Sequence, residues 1–431
     1  MKQHGISPHT GSVVRHGFSG GLDLYEDAIV ALSAGRKLTD FANKCMRIRR
    51  ASDNAETDIA FVGGNIDEQA INDLGGYNLL GYTEDLNNNI WNTFGSGTGN
   101  LQSGISDPFG GNGAYRFSAS GGEKILSQIV LQDIFNGDQF NGSLYYRNSS
   151  SSGNKLRVFR SGSGVVESSV INLSQNDAEW RRVNVTRLFQ NNQTGVRFDI
   201  YVASGFSVEV FAPQLTKSSN LLPYQPRTAG GASDCFVATL YDQSGNNNHA
   251  TQTVADAQPK IYDVASGEVS KENGKPAMVF DVSHNHLFMP NVAGRSNIDA
   301  YFVIRHDFGS TIYPFGTNSI VGGTYGFVVQ QNSQSTSIIN NYGNPNLYKN
   351  NTLFTGTTRD DIYNFLGQTQ NIVNHQGANV SSWNTFNFGN FPSDQFHFEG
   401  TLQEIIIFDR NLTTQERQAL HSDINTYYEV Y

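Results

Sequence analysis

Tyr241-Asp242-Gln243-Ser244-Gly245-Asn246-Asn247-Asn248-His249-Ala250 is a run of turn-forming residues set directly behind an apolar stretch, Cys235-Phe236-Val237-Ala238-Thr239-Leu240. Asp, Ser and Asn side chains bond their own backbone and Gly takes positive φ, so this reads as a strand ending in a tight polar turn. The same alternation recurs downstream. Asn273-Gly274-Lys275-Pro276 precedes the apolar Ala277-Met278-Val279-Phe280. Near the end, Glu404-Ile405-Ile406-Ile407-Phe408 is strand-like. Behind it Thr413 and Glu416 form a capping-box pattern, and Leu420, Ile424 and Tyr427 or Tyr428 share one face of a closing helix.

Upstream of that block, short alternating runs sit between Gly, Ser and Asn clusters: Tyr115-Arg116-Phe117, Ser143-Leu144-Tyr145-Tyr146, Arg182-Val183-Asn184-Val185, Val196-Arg197-Phe198-Asp199-Ile200 and Val208-Glu209-Val210-Phe211. Short strands of this kind predict a β-sandwich over 78–227, closed by the two prolines of Leu222-Pro223-Tyr224-Gln225-Pro226-Arg227. Before it, LDLYEDAIVALSAGRKLTDF (22–41) carries Ile29, Leu32, Leu38 and Phe41 at spacings that predict a helix or two helical turns. CMRIRR (45–50) and DIAFVGG (58–64) are strand-like, and NIDEQAINDL (65–74) predicts a short helix. Residues 1–22, rich in Gly, Ser and His, carry no periodicity and read as an extended anchoring arm.

The 431 residues suffice for two or three domains, each with its own core. Only 16% are charged, against 44 Gly, 28 Phe and 19 Tyr, a bias toward pleated surfaces and turns over long helices. A formal net charge of −10 without any Lys/Arg-rich run offers no field for a phosphate backbone, which argues against nucleic acid as a partner. The N-terminus lacks the apolar core of a signal peptide, and no run of about 18 apolar residues occurs, so neither export nor membrane insertion is expected. Cys45 and Cys235 have no CxxC or His spacing for zinc. They could pair, but two buried, unpaired thiols are the stronger expectation, with no metal and no cofactor.

On these residues, the block from 228 resembles a laminin-G-like, concanavalin-A-type jelly roll. Its polar turn at 241–250, its core strand after Gly274-Lys275 and its closing strand and helix at 402–428 follow the order of that fold. LDLY…RKL…RIRRASDNAETDI (22–59) and YDQSGNNNHATQ (241–252) together resemble the catalytic domain of α-L-arabinofuranosidase B, and phage proteins of the same layout, where only a short connector separates them. That resemblance implies one jelly roll made of 23–77 and 228–431 with 78–227 inserted in a loop, since insertions are tolerated where chain ends meet at a surface. The inserted block resembles the carbohydrate-binding-type sandwiches of phage structural proteins. The resemblance lies in Asn78-Leu79-Leu80 with Tyr82, Glu84 and Trp91, in Trp180-Arg181-Arg182-Val183, and in Val210-Phe211-Ala212-Pro213-Gln214-Leu215 followed by Pro223-Tyr224. The expected fold class is therefore all-β, a concanavalin-A-like jelly roll with a second β-sandwich inserted and few short helices.

This mosaic implies a virion structural or adhesion protein of head- or tail-fibre type, located in the virion and touching host or environmental glycans without hydrolysing them. Its partners would be other virion proteins, cell-surface glycans and further copies of itself, a trimer being compatible. The alternative is an arabinofuranosidase-like exo-glycosidase. Carried over from that family, the nucleophile falls near Asp299 and the acid/base near Asn390, an amide that cannot cycle a proton, and the family's adjacent cysteines are absent. Asp394, Glu399 and Glu404 suit substitute carboxylates in a rearranged site, and better suit solvated strand-edge charges. The candidate ligand-binding residues are Asp242, Asn246 and Asn248, with Trp91 and Trp180. The first three carry oxygens suited to sugar hydroxyls or calcium, and equally suited to a turn. The indoles, with Trp383, fit the CH face of a sugar and equally a sandwich core. Arg47, Arg49 and Arg50 suit an anion clamp or ion pairs with Asp53 and Asp58.

Overall fold

The computed structural model describes residues 24–25, 27–40, 42–160, 168–174, 176–227, 230–281, 285–307, 311–317, 326–334, 342–389 and 398–431. The arm expected at 1–22 lies outside them, as do Asn390 and Asp394. The chain forms two compact units. The described residues of Met1–Leu74, Asp234–Asp263 and Glu268–Tyr431 build one, and those of Gly75–Ser233 with Val264–Gly267 build the other. Both are β-sandwiches, and all strand pairings that carry them are antiparallel.

In the first unit one sheet runs Ala28–Ser33, Gly400–Phe408, Ile298–His306, Asn371–Ala378, Asn346–Lys349. The other runs Glu56–Val62, Lys44–Arg50, Cys235–Leu240, Ala250–Thr251, Leu287–Met289, Phe386–Phe388, Thr311–Gly316, Gly326–Gln330. Between the sheets Phe302 of Ile298–His306 stacks on Phe315 at 4.8 Å, and Phe388 lies 5.9 Å from Phe302. The opposite face of the first sheet, Tyr301, Val303, Ile372 and Ile406, is covered by Leu420, Ile424 and Tyr428 of the closing helix Thr414–Tyr428. Coverage on both faces explains why Glu404-Ile405-Ile406-Ile407-Phe408 is a near-continuous apolar run rather than an alternation. The capping box forms as its pattern predicts: Thr413 Oγ1 accepts from Glu416 N at 3.2 Å and Glu416 Oε2 from Thr413 N at 2.7 Å.

The helix expected within 22–41 is a strand, Ala28–Ser33. Val30, Ala31 and Leu32 are fully buried and the segment pairs with Gly400–Phe408, so long-range ladder hydrogen bonds and two-sided burial override the helical spacing of Ile29 and Leu32. The short helix at Glu68–Gly75 and the strands Lys44–Arg50 and Glu56–Val62 lie where the sequence puts them. A further helix, Arg359–Leu366, opens on a capping box between Thr358 and Asp361. Cys45 and Cys235 are both buried and form no disulfide. Cys235 pairs across the ladder with Arg50, at the far end of the strand from Cys45, so they do not approach one another.

In the second unit two five-stranded sheets face each other. One runs Ser168–Asn172, Lys155–Arg160, Gln193–Val202, Lys124–Ile134, Asn92–Phe94; the other runs Arg181–Leu188, Gln139–Arg147, Ser207–Thr216, Ala114–Ser120, Thr98–Ile105. Alternate residues fill the core: Phe140, Leu144 and Tyr146 on one strand, Tyr115 and Phe117 on the next, Val208 and Val210 beside them. Gly142 is the inward residue where a side chain has no room, since a Cβ there would lie 2.4 Å from Val158 Cγ2.

Candidate functional site

The polar turn at 241–250 spends its side chains on its own architecture. Asp242 Oδ1 accepts from Ala31 N at 2.9 Å and Ser244 N at 3.0 Å, and Oδ2 from Ser244 Oγ at 2.7 Å and Asn248 N at 2.9 Å. Asn246 Nδ2 donates to Ala28 O at 3.0 Å and Asn248 Nδ2 to Ile29 O at 2.7 Å. Asn248 Oδ1 takes Asn291 Nδ2 at 3.0 Å. Of the two uses the sequence allowed, this geometry serves the turn, which buttons the 241–250 segment onto the Ala28–Ser33 strand. The arginines likewise meet partners. Arg47 and Lys44 both bond Asp58, Arg50 bonds Asp53, and Arg49 reaches Gln258, Asn54 and Ala255 O.

The three indoles part company. Trp91 is 5% exposed, meets Phe198 edge-on at 6.2 Å and donates Nε1 to Tyr82 O at 3.1 Å, so it is a core ring with a satisfied polar end. Trp383 is buried against Phe386 and Tyr342 in the first unit. Trp180 alone is half-buried near the surface, with the Arg147 guanidinium over its ring at 4.6 Å.

The carboxylates named from the glycosidase resemblance are engaged in the fold. Asp299 is fully buried; Asn374 Nδ2 donates to its Oδ1, and Leu412 N to its Oδ2 at 3.0 Å. It thereby fixes the turn leading into the closing helix, and burial pushes its carboxyl up to about 6. Glu404, expected as a solvated edge charge, is 1% exposed and sits in a bidentate pair with Arg36, whose Nε and Nη2 donate at 2.8 Å. The reason is topological: its strand lies between two others and beneath a helix. Arg36 also reaches Asp423 and the Tyr25 hydroxyl, under the rings of Tyr427 and Tyr428. Among the described residues no group of three or more His, Cys, Asp or Glu is arranged to hold a metal ion, and no helix is long and apolar enough to cross a membrane.

The face with side-chain chemistry to spare is the outer face of the second unit's Thr98–Ile105-to-Arg181–Leu188 sheet. Because Phe117, Val208 and Leu101 point to the core, their neighbours Ser118, Ser207 and Asn100 point out, and the register sets them side by side. Ser150 extends this row, exchanging hydrogen bonds with Ser207 at 2.8–3.1 Å. These residues, with Thr98, Ser120 and Phe206, line a groove of about 340 Å³. Phe206 is 40% exposed at its wall. Gly205, at φ 83° and bonded through its N–H to Ala119 O at 2.8 Å, makes the turn that presents it.

The next row, about 7 Å along the strands, is charged: Arg147, Glu209, Arg116, Gln102. Beyond it lies an aromatic row in which Tyr145, Phe211 and Tyr224 pack together with Trp180 at the margin. Phe109, 66% exposed, meets Tyr145 at 5.6 Å and Phe211 at 5.9 Å, edge to face. Of the five ligand candidates read from the sequence, only Trp180 belongs to this face. Ser118, Ser207, Asn100, Phe206, Arg116 and Phe109 were missed. The alternation Tyr115-Arg116-Phe117-Ser118 marks the even positions as outward, but nothing local says which other outward residues stand beside them.

No protein-family model matches the chain, and neither does any curated protein. Among solved structures it is similar to an arabinofuranosidase complexed with arabinofuranosyl-α-1,2-xylobiose, at 10% identity and TM-score 0.40, over 93% of this chain and 64% of that one. A family 61 carbohydrate-binding module in complex with β-1,4-galactotriose matches at 14% identity and TM-score 0.26, over 33% of this chain and all of the module. The enzymatically active domain of bacteriophage CBA120 tailspike protein 4 matches at 11% identity and TM-score 0.27, over 32% of this chain and 21% of that one. The chain thus spans under two thirds of the tailspike domain and of the arabinofuranosidase. With every TM-score at or below 0.40, the fold assignment rests on the sheets themselves.

Proposed function

We propose that this protein is a glycan-binding adhesion protein that performs no hydrolysis and works on the surface of a virion. The observation that carries the binding reading is the groove on the second unit: a row of Ser, Thr and Asn side chains beside an exposed phenyl ring. Sugar hydroxyls both donate and accept, which matches hydroxyl and amide side chains, and the CH face of a sugar ring matches a phenyl ring. The non-catalytic reading is supported by Asp299 and Glu404, each held by fold-building partners. A retaining glycosidase needs two carboxyl groups about 5 Å apart and open to substrate. The virion setting rests on the sequence resemblance to phage structural proteins.

The test is glycan-array binding by the full chain and by Ser118→Trp, which fills the groove. The expected result is binding lost in the variant at unchanged melting temperature; equal binding by both would remove the groove from the proposal. Hydrolysis of a nitrophenyl arabinofuranoside that Asp299→Asn abolishes would instead favour the glycosidase alternative. Absence of the protein from purified particles would remove the virion setting.

A further inference from the structure

The row beside the groove holds more positive charge than its own stability requires. Glu209 is 2% exposed and takes Arg147 Nε at 2.7 Å and Asn148 Nδ2 at 3.1 Å on Oε2, with Arg116 Nε at 3.1 Å and Nη2 at 2.5 Å on Oε1. Burial works to raise this carboxyl, but the hydrogen bonds from Arg147, Arg116 and Asn148 outweigh it and hold it below the usual range. One carboxylate thus faces two guanidinium groups, and one positive charge is left over. Arg147 is consumed: besides Glu209 it bonds Ala178 O and Ser106, and it lies on Trp180. Arg116 is not. Its side chain is 47% exposed, and among the described residues its Nη1 makes no hydrogen bond. It stands two residues from the groove-lining Ser118, on the same outward face and one row along the strands. In a chain of net charge −10, a half-exposed guanidinium one row from a groove with no charged lining residue gives that face a local positive spot.

On the far side of that row Phe109 is offered to solvent on a stiff loop. Asp107 Oδ1 accepts from Phe109 N at 2.8 Å and Gly111 N at 3.0 Å, and its Oδ2 from Gly113 N at 3.0 Å. An exposed ring fixed in this way costs little ordering entropy when something lies against it. Two exposed rings, Phe206 and Phe109, therefore flank the open edge of Arg116 on one sheet face, with the groove and the aromatic row about 13 Å apart along the strands.

Resting on the glycan-binding reading, we propose that the ligand is an extended acidic polysaccharide. One sugar lies in the groove against Phe206, a carboxylate or sulfate of the chain pairs with Arg116 Nη1, and a later sugar lies against Phe109. The experiment uses the full chain with polygalacturonate and its fully methyl-esterified form, polymers of one backbone differing in charge, by calorimetry. The wild type is expected to bind the acid at least about tenfold tighter than the ester, with affinity falling as salt rises. Arg116→Gln brings the acid down to the ester's level, and Phe109→Ala weakens long oligogalacturonates while sparing short ones.

Equal, salt-independent binding of acid and ester overturns the acidic class while leaving glycan binding intact, and binding of neither polymer overturns this inference. A loss in Phe109→Ala that is the same at every chain length overturns the extended pose. If Arg116→Gln melts early, the acid-to-ester ratio and salt dependence of the wild type decide alone.

Discussion

The two sandwiches differ in what they add to their buried ion pairs. The first unit adds buried histidines. Arg36 and Glu404 pair beneath tyrosine rings, Asp299 is sealed under the closing helix, and His306, His375 and His421 are each at most 1% exposed. The second unit contains no histidine; it too buries ion pairs, Asp199 with Arg157 and Arg197, and Glu209 with Arg147 and Arg116, but it also sets a hydroxyl row and an aromatic row on the outside of one sheet. Buried polar groups hold segments distant in sequence in one arrangement, whereas outward rows are free to meet a ligand. The buried histidines predict that the first unit's stability responds to mild acid, and the outward rows that the second unit's surface responds to ligand.

The largest effect is expected from Arg36→Met, which leaves Glu404 buried without its bidentate partner. A loss of about 3–5 kcal/mol follows from breaking such a pair. Urea unfolding read by Trp383, the first unit's indole, with Trp91 and Trp180 replaced by Phe, is expected to move to lower denaturant. An unmoved midpoint would mean that the network contributes nothing.

Acid gives the next effect. Burial lowers His375 to about 3, and His306 and His421 to about 4. The unfolded chain, with histidines near 6.5, binds protons first, so stability falls as pH drops below about 6.5 toward the folded values, by about 2 kcal/mol per histidine at pH 5. Asp299 works the other way. Its carboxyl is raised to about 6, so its own contribution grows as pH falls from about 6 toward 4, by about 1 kcal/mol at pH 5. Three histidines outweigh one aspartate, and the first unit is expected to melt earlier at pH 5 than at pH 7. A first-unit melting temperature that rose on acidification would contradict the burial of these histidines.

The smallest effect separates the indoles of the second unit. Trp91→Phe removes the bond to Tyr82 O and some core contact, for about 1–2 kcal/mol, and leaves glycan binding unchanged. Trp180→Phe is expected to cost less stability and to alter binding at the aromatic row. Interchanged outcomes would place the site elsewhere.

Much of the fold was legible because it was written locally. The capping box at Thr413 and Glu416, the strand Glu404–Phe408 and the alternation through Tyr115-Arg116-Phe117 each fix an element from a few neighbouring residues. Ala28–Ser33 was misread because its strand character comes from Gly400–Phe408, nearly the whole chain away. The Asp242 turn and the indoles were ambiguous for a related reason: the same side chains suit a ligand or a fold, and their partners decide.

The sequence by itself determined that this protein is built of strands and turns, where a closing helix begins, and which residues of the alternating strands point inward, since a period of two is a property of consecutive residues. Tertiary structure alone decided that Ser118, Ser207, Asn100 and Ser150 form one row, that two arginines share Glu209, and that Glu404 is buried and not solvated. Those facts depend on strand order and register, set by contacts between segments far apart in the chain.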